Sequence, residues 1–202
     1  STMRATIPSF SKPMNSNPVL MRAPSSRRGL RQANEQLAIT LMLTYALGNA
    51  DCHTKNLAFV YDGFDDVRVA PVYDMLTILA YDAYANNPPG MYVDGRKSWE
   101  GHKALWRYMH QHLGIEPARQ RALVDRVCSA VAQTVPELLQ HIRHTPGFEP
   151  VGLRMLWEWN QGMSRLRERR TFSLPNWVDH AQAQGLPRPA PAVARPAAPA
   201  PA

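Results

Sequence analysis

The sequence is poor in the features that mark several large protein classes. It has two cysteines, Cys52 and Cys128, in 202 residues, too few and too far apart for a disulfide scaffold or a C-x-x-C zinc site. A reducing, cytoplasmic setting is therefore expected. No run approaches the roughly 18 uncharged apolar residues of a membrane span, so no membrane association is expected. The opening "STMRATIPSF" lacks the apolar core of a secretory signal. Ser1 rather than Met stands first, as in a fragment or a trimmed chain. No G-x-G-x-x-G, no G-x-x-x-x-G-K-[ST] and no V-A-I-K-like strand is present, so a phosphate-covering glycine loop and its lysine are missing. None of His102, His110, His112, His141 and His144 stands in an H-E-x-x-H pattern, which leaves zinc without a motif.

What is present begins with charge. The formal net charge is +7, the kind of excess that accompanies nucleic-acid binding. Its distribution argues otherwise. Arg4, Lys12, Arg22, Arg27 and Arg28 stand in residues 1–29 with no acid, and Arg188 and Arg195 stand in the last segment with none. Between residues 30 and 185 the bases and the acids balance. The basic character belongs to the ends, and nucleic acid is expected to be met only indirectly.

The same boundaries appear in composition. Residues 1–29 hold four prolines and many serines with no sustained period, as in an extended or disordered arm. Residues 186–202, "LPRPAPAVARPAAPAPA", form a Pro/Ala-rich disordered tail of polyproline character. The segment 30–185 carries the core, with 45% apolar residues in the whole chain. From Leu30, Ala33, Leu37, Ala38, Leu41, Met42 and Tyr45 recur at helical spacing, and Gly48-Asn49 should end that helix. "NLAFVY" and "VRVAP" flank "DGFDD" and read as a β-hairpin with Gly63 in its turn. "MYVDGRKS" reads as a second short hairpin around Asp94-Gly95. Helical patterns follow over 100–113, 116–133 and 151–169, and Pro136 should restart a turn carrying Leu138, Leu139 and Ile142. The fold class is mainly α with a small β-hairpin insert.

One stretch carries chemistry. "LGNADCHTKNLAFVYDGFDDVRVAPVYDM" places Asp51 and Asn56 in a D-x-x-x-x-N spacing, then a hairpin, then Asp74. In phosphoryl transfer an Asp accepts the proton of the attacking hydroxyl, and an Asn five residues on holds magnesium. A hairpin returns the chain to its starting edge, where Asp74 offers a second oxygen to the same hard cation. The apolar frame "APVYDML" predicts a partly buried Asp74, costly unless a cation compensates it. Plainer roles suit the same residues: Asp51 as a helix N-cap, Asn56 in a turn, Asp74 capping "MLTILA". Spacing alone leaves both readings open.

"GNADCHTKNLAFVY" and "VRVAPVYDMLT" together resemble the catalytic core of the HipA-type serine/threonine kinase toxins. Asp51, His53, Lys55 and Asn56 match that family's Asp-x-His-x-Lys-Asn loop, and Pro71, Tyr73 and Asp74 match its Pro-x-Tyr-Asp segment. "MYVDGRKS" is similar to its strand–Gly–strand piece, so the resemblance covers roughly residues 30–105. It implies a protein-kinase-like C-terminal lobe of the HipA type, with Mg2+ and ATP as cofactor and co-substrate. Asp51 would be the catalytic base, Asn56 and Asp74 the metal ligands, and His53 and Lys55 would face the phosphates. Cys52 reads as a bystander.

The resemblance also implies partners. These are a protein substrate of the aminoacyl-tRNA synthetase kind, a HipB-like helix-turn-helix antitoxin, and a separate N-terminal lobe chain. The ATP-binding lobe is absent from these residues, which predicts a fragment or split kinase. The alternative is a catalytically inactive remnant acting as a partner-binding module. Aminoglycoside-kinase-like enzymes share the Asp…Asn…Asp logic but place His-Gly before the base, where this chain has Gly48-Asn49-Ala50.

Overall fold

Helix α1 (Arg27–Leu47) is the axis around which the other elements pack. The structure is a computed structural model and describes residues 27–61, 67–99, 102–167 and 176–189. The expected arm up to residue 26, the hairpin turn with Gly63, the end of the expected helix at 168–169 and the tail from residue 190 lie outside them. Helix α1 begins three residues before the expected boundary at Leu30. Its period turns Ala33, Leu37, Ala38, Met42 and Tyr45 inward, all buried, with Leu41 at the margin. Thr40 and Thr44 fall on the same face. Their hydroxyls donate to the carbonyls of Gln36 (3.0 Å) and Thr40 (2.9 Å), which removes the penalty of burying them. The helix stops where expected: Gly48 takes φ +67°, a left-handed cap conformation that suits a residue without Cβ.

Two short antiparallel strands follow, β1 (Phe59–Tyr61) and β2 (Val67–Val69), with Val60 opposite Arg68. The second hairpin is reduced to a single bridge between Val93 and Arg96. Asp94 (φ 51°) and Gly95 (φ 74°) both take positive φ, as a two-residue type I′ turn requires. Asp94 also meets Arg107 Nε at 3.2 Å. Single 3-10 turns occupy Thr54–Asn56, Ile78–Ala80 and Asp82–Tyr84.

The second half is helical: α2 (His102–Leu113), α3 (Pro117–His144), α4 (Glu149–Leu166) and α5 (Trp177–Ala183). Gly114 at φ 62° ends α2 and Pro117 opens α3. Buried Gln120 holds the corner between them, donating to Trp106 O (3.1 Å) and Ile115 O (2.7 Å). Two expectations need correction here. Pro136 does not restart a turn; α3 is one helix of 28 residues that runs through it. An interior proline costs about 3 kcal/mol, but Val135, Leu138, Leu139 and Ile142 stay on one buried face, each side chain contributing about 1.5–3 kcal/mol. Burial outweighs the lost hydrogen bond. Helix α5 was not expected: seven residues capped by Asn176, whose side chain accepts from Val178 N (3.1 Å) and Asp179 N (3.4 Å). It buries Val178 and Ala181, and Leu186 packs beyond it, so the packed region reaches past residue 185. Among the described residues no helix is long and apolar enough to cross a membrane.

Helix α4 decides how the site is held. It crosses the C-terminal end of α1 at Gly162, where an added Cβ would stand 2.3 Å from Ala46 O and 2.4 Å from Tyr45 O. Only a residue without a side chain permits that approach.

Candidate functional site

The site is built from two loops brought together by the first hairpin. The first leaves α1 at Gly48 and runs through Asp51 to the 3-10 turn Thr54–Asn56. Asn56 Oδ1 accepts from His53 N–H at 3.0 Å, and Asn56 N–H donates to His53 O at 2.9 Å, so Asn56 closes its own turn. The second loop follows β2 and carries Tyr73 and Asp74. Strand pairing returns the chain as the spacing predicts, and the Tyr73 hydroxyl donates to Lys55 O at 2.9 Å. Asn56 Nδ2 then lies 2.5 Å from Asp74 Oδ2. Residues 18 apart in sequence are thereby placed side by side.

Asp74 departs from expectation in one respect. Its carboxylate is exposed rather than partly buried. The backbone at Asp74 has φ 55°, a left-handed conformation uncommon outside glycine, although Asp tolerates it better than most residues. The apolar neighbours do not cover it, since Tyr73 and Leu76 are exposed themselves. Nor does Asp74 cap a helix; Thr77 precedes the next 3-10 turn. Asp51 and Lys55 are exposed, and His53 is half-buried. Cys52 is buried and faces inward. Burial pushes its thiol above the ordinary range, a hydrogen bond with Thr44 offsets part of this, and the nearby Asp51 and Asp74 charges raise it further. A thiol held neutral in this way is not a nucleophile.

For a cation, Asp74 offers an exposed carboxylate, whereas Asn56 meets it through Nδ2 and has its Oδ1 turned to His53 N–H, so Asn56 would have to turn its amide to offer an oxygen. A carboxylate and an amide oxygen are the donor types magnesium takes, with waters and phosphate oxygens completing its shell. Among the described residues no group of three or more His, Cys, Asp or Glu side chains gathers where it would hold a metal by itself.

Three supports were not visible in the sequence reading. Asn49 looked like a helix terminator, but Gly48 does that work, and the Asn49 side chain is 1% exposed. Its Oδ1 accepts from Asp51 N–H at 3.1 Å, and its Nδ2 lies 3.3 Å from both Asp74 O and Met75 Sδ. Gly90 presses on the same loop, with room for no Cβ: one would stand 2.4 Å from Cys52 O. The segment after Asp74 is fastened to α4, where Trp159 Nε1 donates to Thr77 Oγ1 at 2.8 Å and Arg154 Nε donates to Ala80 O at 2.6 Å. Arg154 also pairs with Asp82 at 3.1 Å. A buried Asn beside a glycine cap was the one available signal for the first of these. The others join residues far apart in sequence.

Residues 14–135 match the family described as HipA-like C-terminal domain. The match covers more than half of the 202 residues and contains both loops of the site. It begins within the segment expected to be an arm and ends inside α3, so α4 and α5 lie beyond it. Comparison with curated proteins finds no match.

Proposed function

The chain belongs to the HipA-like C-terminal domain family, and from that premise we propose that it carries the magnesium–phosphate end of a HipA-like serine/threonine kinase site. Membership of a family associated with kinase activity supports the class. The observation that carries the reading is that the hairpin brings Asn56 and Asp74 within 2.5 Å of each other; kinase-type phosphoryl transfer uses an Asn and an Asp close enough to share a magnesium ion. In this reading Asp51 accepts the proton as a protein hydroxyl attacks the γ-phosphorus. The bond to the ADP oxygen breaks as the new one forms. Asn56 and Asp74 would hold Mg2+, which would supply positive charge beside the phosphate oxygens. His53 and Lys55 orient the phosphates. A further lobe covers the nucleotide, and a protein substrate and a helix-turn-helix antitoxin complete a cytoplasmic toxin–antitoxin setting.

A second reading is a partner-binding module without ATP chemistry. It is favoured by the exposed Leu76, Tyr81, Tyr84 and Tyr92, which follow Asp74 and leave apolar surface uncovered. Calorimetry separates the two. The 202-residue chain is expected to bind ATP only with Mg2+ present, and Asp74→Asn to abolish that binding. Absence of binding by the unsubstituted chain favours the module.

A further inference from the structure

We propose that Asn49 is a positioning residue that locks the Asp51 loop to the Asp74 peptide and holds Asp74 in its left-handed conformation. The proposal rests on the preceding reading only for its consequence, the aim of Asp74 toward a cation.

Three observations carry it. Asn49 is buried between the two loops at 1% exposure, where an unpaired amide is costly. Each of its polar atoms has work on a different loop: Oδ1 accepts from Asp51 N–H, and Nδ2 reaches Asp74 O and Met75 Sδ. The peptide it reaches is that of Asp74, at φ 55°. A non-glycine residue in this region persists when its surroundings over-determine it. Two neighbouring contacts close the same seam. Leu79 N–H donates to Gly48 O at 3.3 Å, and Gly90 sits against Cys52 O.

Residue chemistry at position 49 is restrictive. The bond to Asp51 N–H is local, from residue i to residue i+2, and a serine hydroxyl makes the same bond. The bond to Asp74 O needs a donor one atom further out. Asp offers only acceptors there, Ser is too short, and Gln carries the amide too far. Asn49→Ser therefore keeps the turn and removes only the link between loops, and Asn49→Asp places a carboxylate against a carbonyl. A role confined to the turn is rescued by Ser; a role across the loops is not.

The test is NMR on the 202-residue chain, with Mn2+ as the metal probe. In the unsubstituted protein, the Asp74 Cα shift and its HN–Hα coupling should report positive φ, and Asn49 Hδ2 protons should show a nuclear Overhauser contact to Met75. In Asn49→Ser, Asp51 N–H should stay protected from exchange while the Asp74 signature moves to the extended range. Line broadening by Mn2+ at Asp74 and Asn56 should then need about tenfold to a hundredfold more metal, the usual loss when an outer partner of a ligand is removed. An Asp74 signature unchanged in Asn49→Ser overturns the proposal. So does the absence of the Asn49–Met75 contact in the unsubstituted chain, a measurement that decides the matter even if the variants fail to fold. If Mn2+ broadens the unsubstituted chain and Asp74→Asn alike, the cation reading falls, and the conformational arm still decides the role of Asn49.

Discussion

Replacing Gly162 by alanine sets two well-known effects against each other. In a helix interior Ala is favoured over Gly by about 1 kcal/mol, so local propensity predicts that Gly162→Ala stabilises α4. The packing predicts the reverse. The new Cβ would lie 2.3 Å from Ala46 O, 2.4 Å from Tyr45 O and 2.7 Å from Ala46 C, against 3.4 Å or more for ordinary contact. These are backbone atoms of α1 and cannot swing aside as a side chain does. The helices must part by on the order of 1 Å, and overpacking of this kind typically costs about 1–3 kcal/mol, with more when backbone must move. The contact sits at the end of α1 that launches the Asp51 loop, and α4 also holds Thr77 and Ala80. A net loss of about 1–2 kcal/mol lowers Tm by about 2–8 °C in a domain of this size. Thermal melting followed by circular dichroism measures it, with Ser164→Ala, an exposed position on the same helix, reporting propensity alone. A Tm for Gly162→Ala equal to or above that of the unsubstituted chain, moving with Ser164→Ala as propensity alone dictates, refutes the close crossing of α1 and α4.

Two further outcomes test other parts of the structure. Trp159→Phe removes the donor to Thr77 Oγ1 at 2.8 Å between two buried residues, and should cost about 1–3 kcal/mol in urea unfolding. In the double variant with Thr77→Val the loss should be partly recovered, because no hydroxyl is then left unpaired; strictly additive losses contradict the bond. Cys128 is held neutral by burial, its thiol pushed up from 9.0 to about 11. Its folded value lies above its unfolded one, so the stability it contributes is complete below pH 9, and is lost as pH rises from 9 towards 11. Relative to Cys128→Ala, the unsubstituted protein should lose Tm over that interval; a constant difference between the two refutes the burial-driven shift.

The sequence by itself determined the elements whose signal is local. The period of apolar residues in α1 and α4, the glycine that ends α1, the Asp94-Gly95 turn and the pairing of the strands around residues 62–66 all depend on neighbours within a few positions, which is where period and turn chemistry act. The meeting of Asn56 and Asp74 was legible for the same reason, because a hairpin of known length fixes where its two ends meet. Tertiary structure decided the rest. Pro136 lies inside a helix because the buried face of α3 outweighs a local rule. Asp74 is exposed because its left-handed backbone and its loop, rather than its apolar neighbours in sequence, set its surroundings. Helix α5 exists because Val178, Ala181 and Leu186 find a core contributed by other elements. Asn49, Gly90, Gly162, Trp159 and Arg154 acquire their roles from partners 25 to 117 positions away, as between Asn49 and Asp74 or Tyr45 and Gly162. Contacts at such separations leave no period in the chain; they exist only once the helices have packed.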